Sequence, residues 1–166
     1  MAEIVKTYKK SITATRFIGK KYGNEDRVDG SFGAKWGEWF ENKWFDVLDK
    51  LGSQEGWDNG IGLMGHEDGA FKYWIGKFTP ANTPVPEGFD YMDYDAGYIA
   101  ACRLKGQEDN LWGNEPMCCD YLQAEGYKML DNEFICFEWY LDCEDEEVIK
   151  ATEEGQSLLD VCFFVE

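Results

Sequence analysis

The sequence has one histidine, His66, in 166 residues, and this scarcity closes several routes. No ligand spacing surrounds His66, so no zinc or other metal site is expected. No serine or cysteine has a recognisable imidazole partner, so a nucleophile–His–acid triad is not expected. Basic residues are also few. Sixteen Lys and Arg face 33 Asp and Glu, a formal net charge of −17. Such a surface repels phosphate backbones, which argues against direct nucleic-acid binding and leaves room for a cationic ligand or a basic protein partner. No apolar run is long enough to cross a bilayer. The opening residues lack the hydrophobic stretch of a secretory signal, so no membrane association and a cytoplasmic location are expected. The six cysteines form no Cys-x-x-Cys pair, and buried free thiols are expected rather than disulfides. Of four prolines, Pro80, Pro84 and Pro86 crowd one short stretch that neither a helix nor a central strand can traverse.

What is present is aromatic. The chain has seven tryptophans and is 44% hydrophobic, the composition of a globular domain. The stretch Phe134-Ile-Cys-Phe-Glu-Trp-Tyr-Leu141 carries a single charge and reads as a buried strand. Alternation puts Phe134, Cys136, Glu138 and Tyr140 on one face. A carboxylate there must pair, protonate or face a cavity, because an unpaired buried charge is costly. Glu138 is therefore a group awaiting a cation or a proton donor in a pocket, a carboxylate in water on an edge strand, or a satisfied structural carboxylate.

The remaining pattern predicts a strand over 11–22, a helix from Ser31 to about Leu51, a turn at Trp57–Gly60, and strands over 61–66 and 70–78 joined at Glu67-Asp-Gly69. A connector spans 79–87. The second part predicts strands over 89–94 and 97–105, a helix over 115–130, the strand 134–141, an acidic loop over 142–156 and a closing strand over 158–165. The two halves, about 11–78 and 88–165, each read as strand, helix, strand, strand within a single domain, 1–166. The predicted class is α+β. A groove where repeated halves meet is a common place for a ligand.

Three stretches, taken together, resemble the GyrI-like effector-binding domains. They are Tyr73-Trp-Ile-Gly76; Val85-Pro-Glu-Gly88 running on to Asp95-Ala-Gly-Tyr98; and Glu125-Gly-Tyr127 followed by Phe137-Glu-Trp-Tyr140. Such domains occur alone or attached to DNA-binding modules in AraC-type and MerR-type multidrug-responsive bacterial regulators. The resemblance implies a duplicated β-α-β-β fold with pseudo-two-fold symmetry, a curved antiparallel sheet with helices on one side, and a central cleft for hydrophobic, cationic or planar compounds. It places the family's acidic residue on Glu138, the neighbouring tyrosine on Tyr140 and the aromatic of the Tyr-x-x-Gly strand on Tyr73 or Trp74.

The expected ligand site is thus Glu138 with Tyr140, Tyr73, Trp74, Tyr98 and Trp112, and no cofactor. No helix-turn-helix pattern precedes the first strand, so a stand-alone protein that senses or sequesters small molecules is expected. One alternative is a hydrolase of strained electrophilic rings, with Glu138 as general base and Tyr140 or Tyr98 as hydrogen-bond donor. The other is a protein-interaction role such as gyrase inhibition.

Overall fold

The computed structural model describes residues 2–52, 59–141 and 143–166. An unpredicted strand, β1 (Glu3–Ile12), precedes strand β2 (Thr15–Gly23), which takes most of the region where a strand over 11–22 was predicted. The difference has a physical cause. β1 is lysine-rich and largely exposed, so it lacks the apolar run that marks a buried strand, and its backbone is held by pairing along its whole length with a distant partner.

The predicted helix from Ser31 to Leu51 is two helices, α1 (Gly33–Glu41) and α2 (Trp44–Asp49). Lys43 between them takes a left-handed backbone, φ 56°, which breaks the helical path without glycine or proline. Strands β3 (Ile61–Glu67) and β4 (Ala70–Pro80) form the predicted hairpin. Asp68 and Gly69 both have positive φ, the requirement of a two-residue type I′ turn. Of the predicted turn at Trp57–Gly60, Trp57 and Asp58 lie outside the described residues. Strands β5 (Asp90–Tyr94) and β6 (Gly97–Gly106) follow.

Helix α3 (Glu115–Ala124) ends six residues before the predicted Leu130. Gly126, φ 101°, turns the chain, and the Tyr127 amide closes the end on the Leu122 carbonyl at 3.1 Å. Strand β7 is confined to Cys136–Trp139. The segment predicted as an acidic loop contains helix α4 (Glu146–Glu153), with Asp145 accepting from the Glu147 amide at 2.8 Å as N-cap. Strand β8 (Ser157–Val165) closes the chain.

The chain divides into two units, Thr13–Ala96, and the residues up to Ile12 with Gly97–Glu166. Each contains a four-stranded antiparallel array with helices, an α+β architecture. In the first, the order is β3-β4-β2-β5; in the second it is β7-β8-β6-β1. The second order repeats the first, strand for strand. The initial strand of each sequence repeat, β1 or β5, therefore pairs with the sheet of the other repeat.

In the first unit α1 and α2 cover a core of Ile18, Phe32, Trp39, Leu48, Tyr73 and Ile75. Each of the fully buried aliphatic side chains among these contributes roughly 1.5–3 kcal/mol. Gly19 and Gly76 stand opposite each other on β2 and β4. A Cβ on Gly19 would run into the Ile75 carbonyl, and one on Gly76 into the Ile18 carbonyl.

In the second unit β8 is buried along almost its whole length, with Asp160 as its one charge. Arg103 holds Asp160 by two hydrogen bonds, Nε to Oδ1 at 2.8 Å and Nη2 to Oδ2 at 2.9 Å. The Tyr8 hydroxyl donates to Oδ2 at 2.5 Å, and Arg103 Nη1 reaches Glu147 on α4 at 2.8 Å. This network ties β1, β6, β8 and α4 together. Among the described residues all six cysteines are free, and no helix is long and apolar enough to cross a membrane.

Candidate functional site

The register across the second unit places Glu138. Thr7, Cys102, Val161 and Glu138 form one row across β1, β6, β8 and β7, and side chains of one row leave the sheet on one face. Helix α3 lies on that face, because Cys102 Sγ donates to the Cys118 carbonyl at 3.8 Å and Thr7 Oγ1 to Glu125 Oε2 at 3.0 Å. Glu138 is 4% exposed. The strand that carries it is the apolar one legible in the sequence.

Tyr140, just past β7, lies two residues beyond Glu138. Its hydroxyl is 3.4 Å from Glu138 Oε2, wider than the roughly 2.7 Å of a strong O–H···O bond. The Tyr140 ring meets Trp112 with centroids 5.8 Å apart and planes at 48°. Trp112 comes from the segment between β6 and α3. There Leu111 is buried, and the Asn114 side-chain amide donates to the carbonyls of Asn110 at 2.8 Å and Leu111 at 2.9 Å. Gly113, φ 78°, completes the turn. The indole is thus presented to solvent, 44% exposed, from a pinned loop.

Glu138, Tyr140 and Trp112 are therefore brought together. Tyr98 shares the face of Glu138, but lies four residues along and two strands across, roughly 16 Å away on standard strand spacings. Its ring already carries the Lys9 ammonium at 4.3 Å. Tyr73 and Trp74 belong to the first unit and point to opposite faces of β4. Tyr73 stacks on Phe32, centroids 4.5 Å apart and planes at 4°, and accepts a hydrogen bond from Trp36 Nε1 at 3.1 Å. Trp74 packs edge-on against Phe17 at 6.1 Å.

One further residue was read in the sequence only as a helix start. Glu115 opens α3 on the helix face of Cys118 and Leu122, both fully buried. The Cys136 thiol reports its reach. Burial first, then the negative charges of Glu115 and Glu138, push that thiol well above its ordinary value. Two carboxylates from different elements thus act on one side chain of the face under α3. The spacing of Glu115, Cys118 and Leu122 was the available signal. Among the described residues no group of His, Cys, Asp and Glu is arranged to hold a metal.

No family model and no curated protein matches the sequence. Solved structures do match along nearly the whole chain. The structure of SAV2435 bound to tetraphenylphosphonium superposes with TM-score 0.65 at 14% identity, covering 98% of this chain and 94% of that one. The EcmrR C-terminal domain gives 0.52 at 11% identity, covering 97% of each chain. A hydrolase from Listeria innocua gives 0.53 at 8% identity, covering 97% of this chain and 92% of that one. The chain therefore has the fold of the GyrI-like effector-binding domains that its sequence resembles.

Proposed function

We propose that this protein binds hydrophobic, cationic or planar small molecules on the α3-bearing face of the second unit, as a sensor or a sequestering protein. The observation that carries the reading is a carboxylate, Glu138, almost fully buried beside an aromatic pair, Tyr140 and Trp112. A lipophilic cation leaves water cheaply because its charge is diffuse. Once desolvated it gains from the carboxylate and from the ring faces. Trp112 supplies the exposed wall where a ligand arrives. The tetraphenylphosphonium held by SAV2435, which shares the fold, is a compound of this class.

The test is a titration with tetraphenylphosphonium, read by tryptophan quenching and by thermal shift, on the wild type and Glu138→Gln. A ligand that binds only the native state raises its stability with the logarithm of concentration over Kd. A saturable shift that weakens at least tenfold in Glu138→Gln supports the reading. Equal responses from the two proteins would assign Glu138 a structural role and refute it.

A second reading rests on the same pair. The Tyr140 hydroxyl beside Glu138 is a donor next to a general base. Glu138 would take a proton from water as the water oxygen bonds to a carbon of a strained ring. The carbon–oxygen bond of the ring would break, Tyr140 would donate to the departing oxygen, and Glu138 would then return the proton. Consumption of an epoxide by the wild type and not by Glu138→Gln is the expected result under this reading.

A further inference from the structure

We infer that the outer face of α1 is an interface on which two copies of this chain pair about a two-fold axis, the Phe40 ring of each filling a glycine notch on the other.

Helix α1 is held to the first unit by one side. Trp39 is fully buried and donates from Nε1 to the Tyr22 hydroxyl at 3.0 Å, and Trp36 donates to the Tyr73 hydroxyl at 3.1 Å. The opposite side presents Gly33, Ala34, Gly37, Phe40 and Glu41, all exposed. Positions 33, 37 and 40 fall on one stripe of a helix. In a chain with a net charge of −17, that stripe carries no charge. Phe40 is 66% exposed, beside the Trp36 and Phe45 rings at 6.5 and 5.5 Å.

The glycines point to the partner. Glycine is a poor helix former, and inside an element it suits a place where something comes close to the backbone. Gly19 and Gly76 meet that condition within the chain. Gly33 and Gly37 do not. Among the described residues a Cβ on Gly37 would have nothing within 4 Å, and one on Gly33 only the Ser31 hydroxyl at 3.5 Å. A second helix, packing from outside, fills the room they leave. With antiparallel copies crossing near Gly37, Phe40 stands opposite the notch of Gly33, Ala34 and Gly37 in the other copy. The contact repeats by symmetry, as an isologous interface requires. The same register brings Glu41 to the other copy's α1 N-terminus. There the Ser31 hydroxyl accepts from the Gly33 amide at 3.3 Å, but Phe32 at the cap position makes no side-chain bond and the first turn has no acid. A carboxylate from the second copy supplies the negative charge that a helix start favours. Ring and notch, acid and helix start, thus lie on one helix at spacings that a reversed copy of it matches.

Sedimentation equilibrium of the full chain, from about 5 to about 500 µM, measures the pairing. Salt at about 0.15 M limits repulsion between the two acidic molecules to a range of about 8 Å. One short helix pair is a small interface, so a reversible dimer with a micromolar Kd is expected. Phe40→Ser and Gly37→Leu should each raise that Kd at least about tenfold. Glu41→Lys should raise it about threefold. Gly37→Ala separates pairing from folding. At concentrations where the chain is monomeric, its melting point should rise by about 2–4 °C, because alanine is the better helix former and its Cβ enters open space. Its dimer should nevertheless weaken. A chain that stays monomeric at the highest concentration overturns the inference, as does a dimer that survives Phe40→Ser or Gly37→Leu. A Gly37→Ala protein that melts below the wild type would show that the glycine serves packing within one copy, and would overturn it too. Should Phe40→Ser itself lower the melting point, the two Gly37 variants decide.

Discussion

Replacing Arg103 with methionine should unfold the second unit far more readily than any change at the candidate site. Asp160 is fully buried, and Arg103 supplies two of the three side-chain hydrogen bonds described for its carboxylate. Arg103→Met leaves Asp160 with the Tyr8 hydroxyl as its described partner and also releases Glu147 on α4. Removing one member of a buried ion pair typically costs about 3–5 kcal/mol, mostly because the other charge is left in a poor solvent. Against a total of about 5–15 kcal/mol for a protein, that is about a fifth or more of the stability. At about 2–4 °C per kcal/mol for a chain of this size, the melting point should fall by 6–20 °C. Urea unfolding followed by tryptophan fluorescence gives the free energy, and calorimetry gives the temperature. The double variant Arg103→Leu with Asp160→Leu removes both charges and should recover most of the loss. An Arg103→Met protein within about 1 kcal/mol of wild type, or a double variant no better than the single one, would refute the buried-charge argument.

Other expectations follow from the same structure. Arg103 hydrogen-bonds Glu147 and holds its carboxyl below the usual range, with burial opposing. A depressed folded value stabilises above the unfolded value and is lost as pH falls through the folded one. The urea-midpoint gap between wild type and Glu147→Gln should therefore be present at neutral pH and close below about pH 4. Gly76→Ala should lower the stability of the first unit by about 1–3 kcal/mol, because its Cβ meets backbone that cannot rotate away; an unchanged melt would show that the strands can separate. Trp112→Ala should weaken tetraphenylphosphonium binding about threefold to thirtyfold without moving the melting point, since the indole is largely exposed. A thiol reagent should modify exposed Cys143 quickly in the native protein, and buried Cys102, Cys118, Cys136 and Cys162 only after unfolding.

The elements legible in the sequence were those whose burial is continuous. β4, β6 and β8 are almost wholly buried, so their apolar runs stand out against the turns that bound them. β1 was missed because an exposed, lysine-bearing strand is held by backbone pairing with β6, a partner some ninety residues away that no local window contains. α4 was read as a loop because its charge masks its cap: Asp145 is one more acid in an acidic run until its side chain is seen on the Glu147 amide. The break between α1 and α2 falls on Lys43, a residue with no turn preference of its own, held in a left-handed backbone. At the candidate site, Glu138 was visible as a charge in an apolar strand. Glu115 was not, because a glutamate at a helix start has an ordinary explanation in the helix dipole. Tyr73 and Trp74 shared one motif in the sequence, yet adjacent residues of a strand face opposite ways.

The exchange of β1 and β5 bears on how such a chain can be cut and how it can arise. A break in the proline-rich connector between Pro80 and Asp90 yields two contiguous peptides, and neither owns a complete sheet: each retains three strands and carries the fourth that the other lacks. The peptides are expected to be poorly folded apart and to reassemble when mixed, as a complementing pair. The same topology describes what precedes fusion. A single-repeat ancestor would complete its sheet with the first strand of a second copy, an obligate homodimer, and joining two genes head to tail would preserve these strand pairings while freeing the two halves to diverge, one burying a glutamate in its apolar strand and the other filling its helix-covered side with tryptophan.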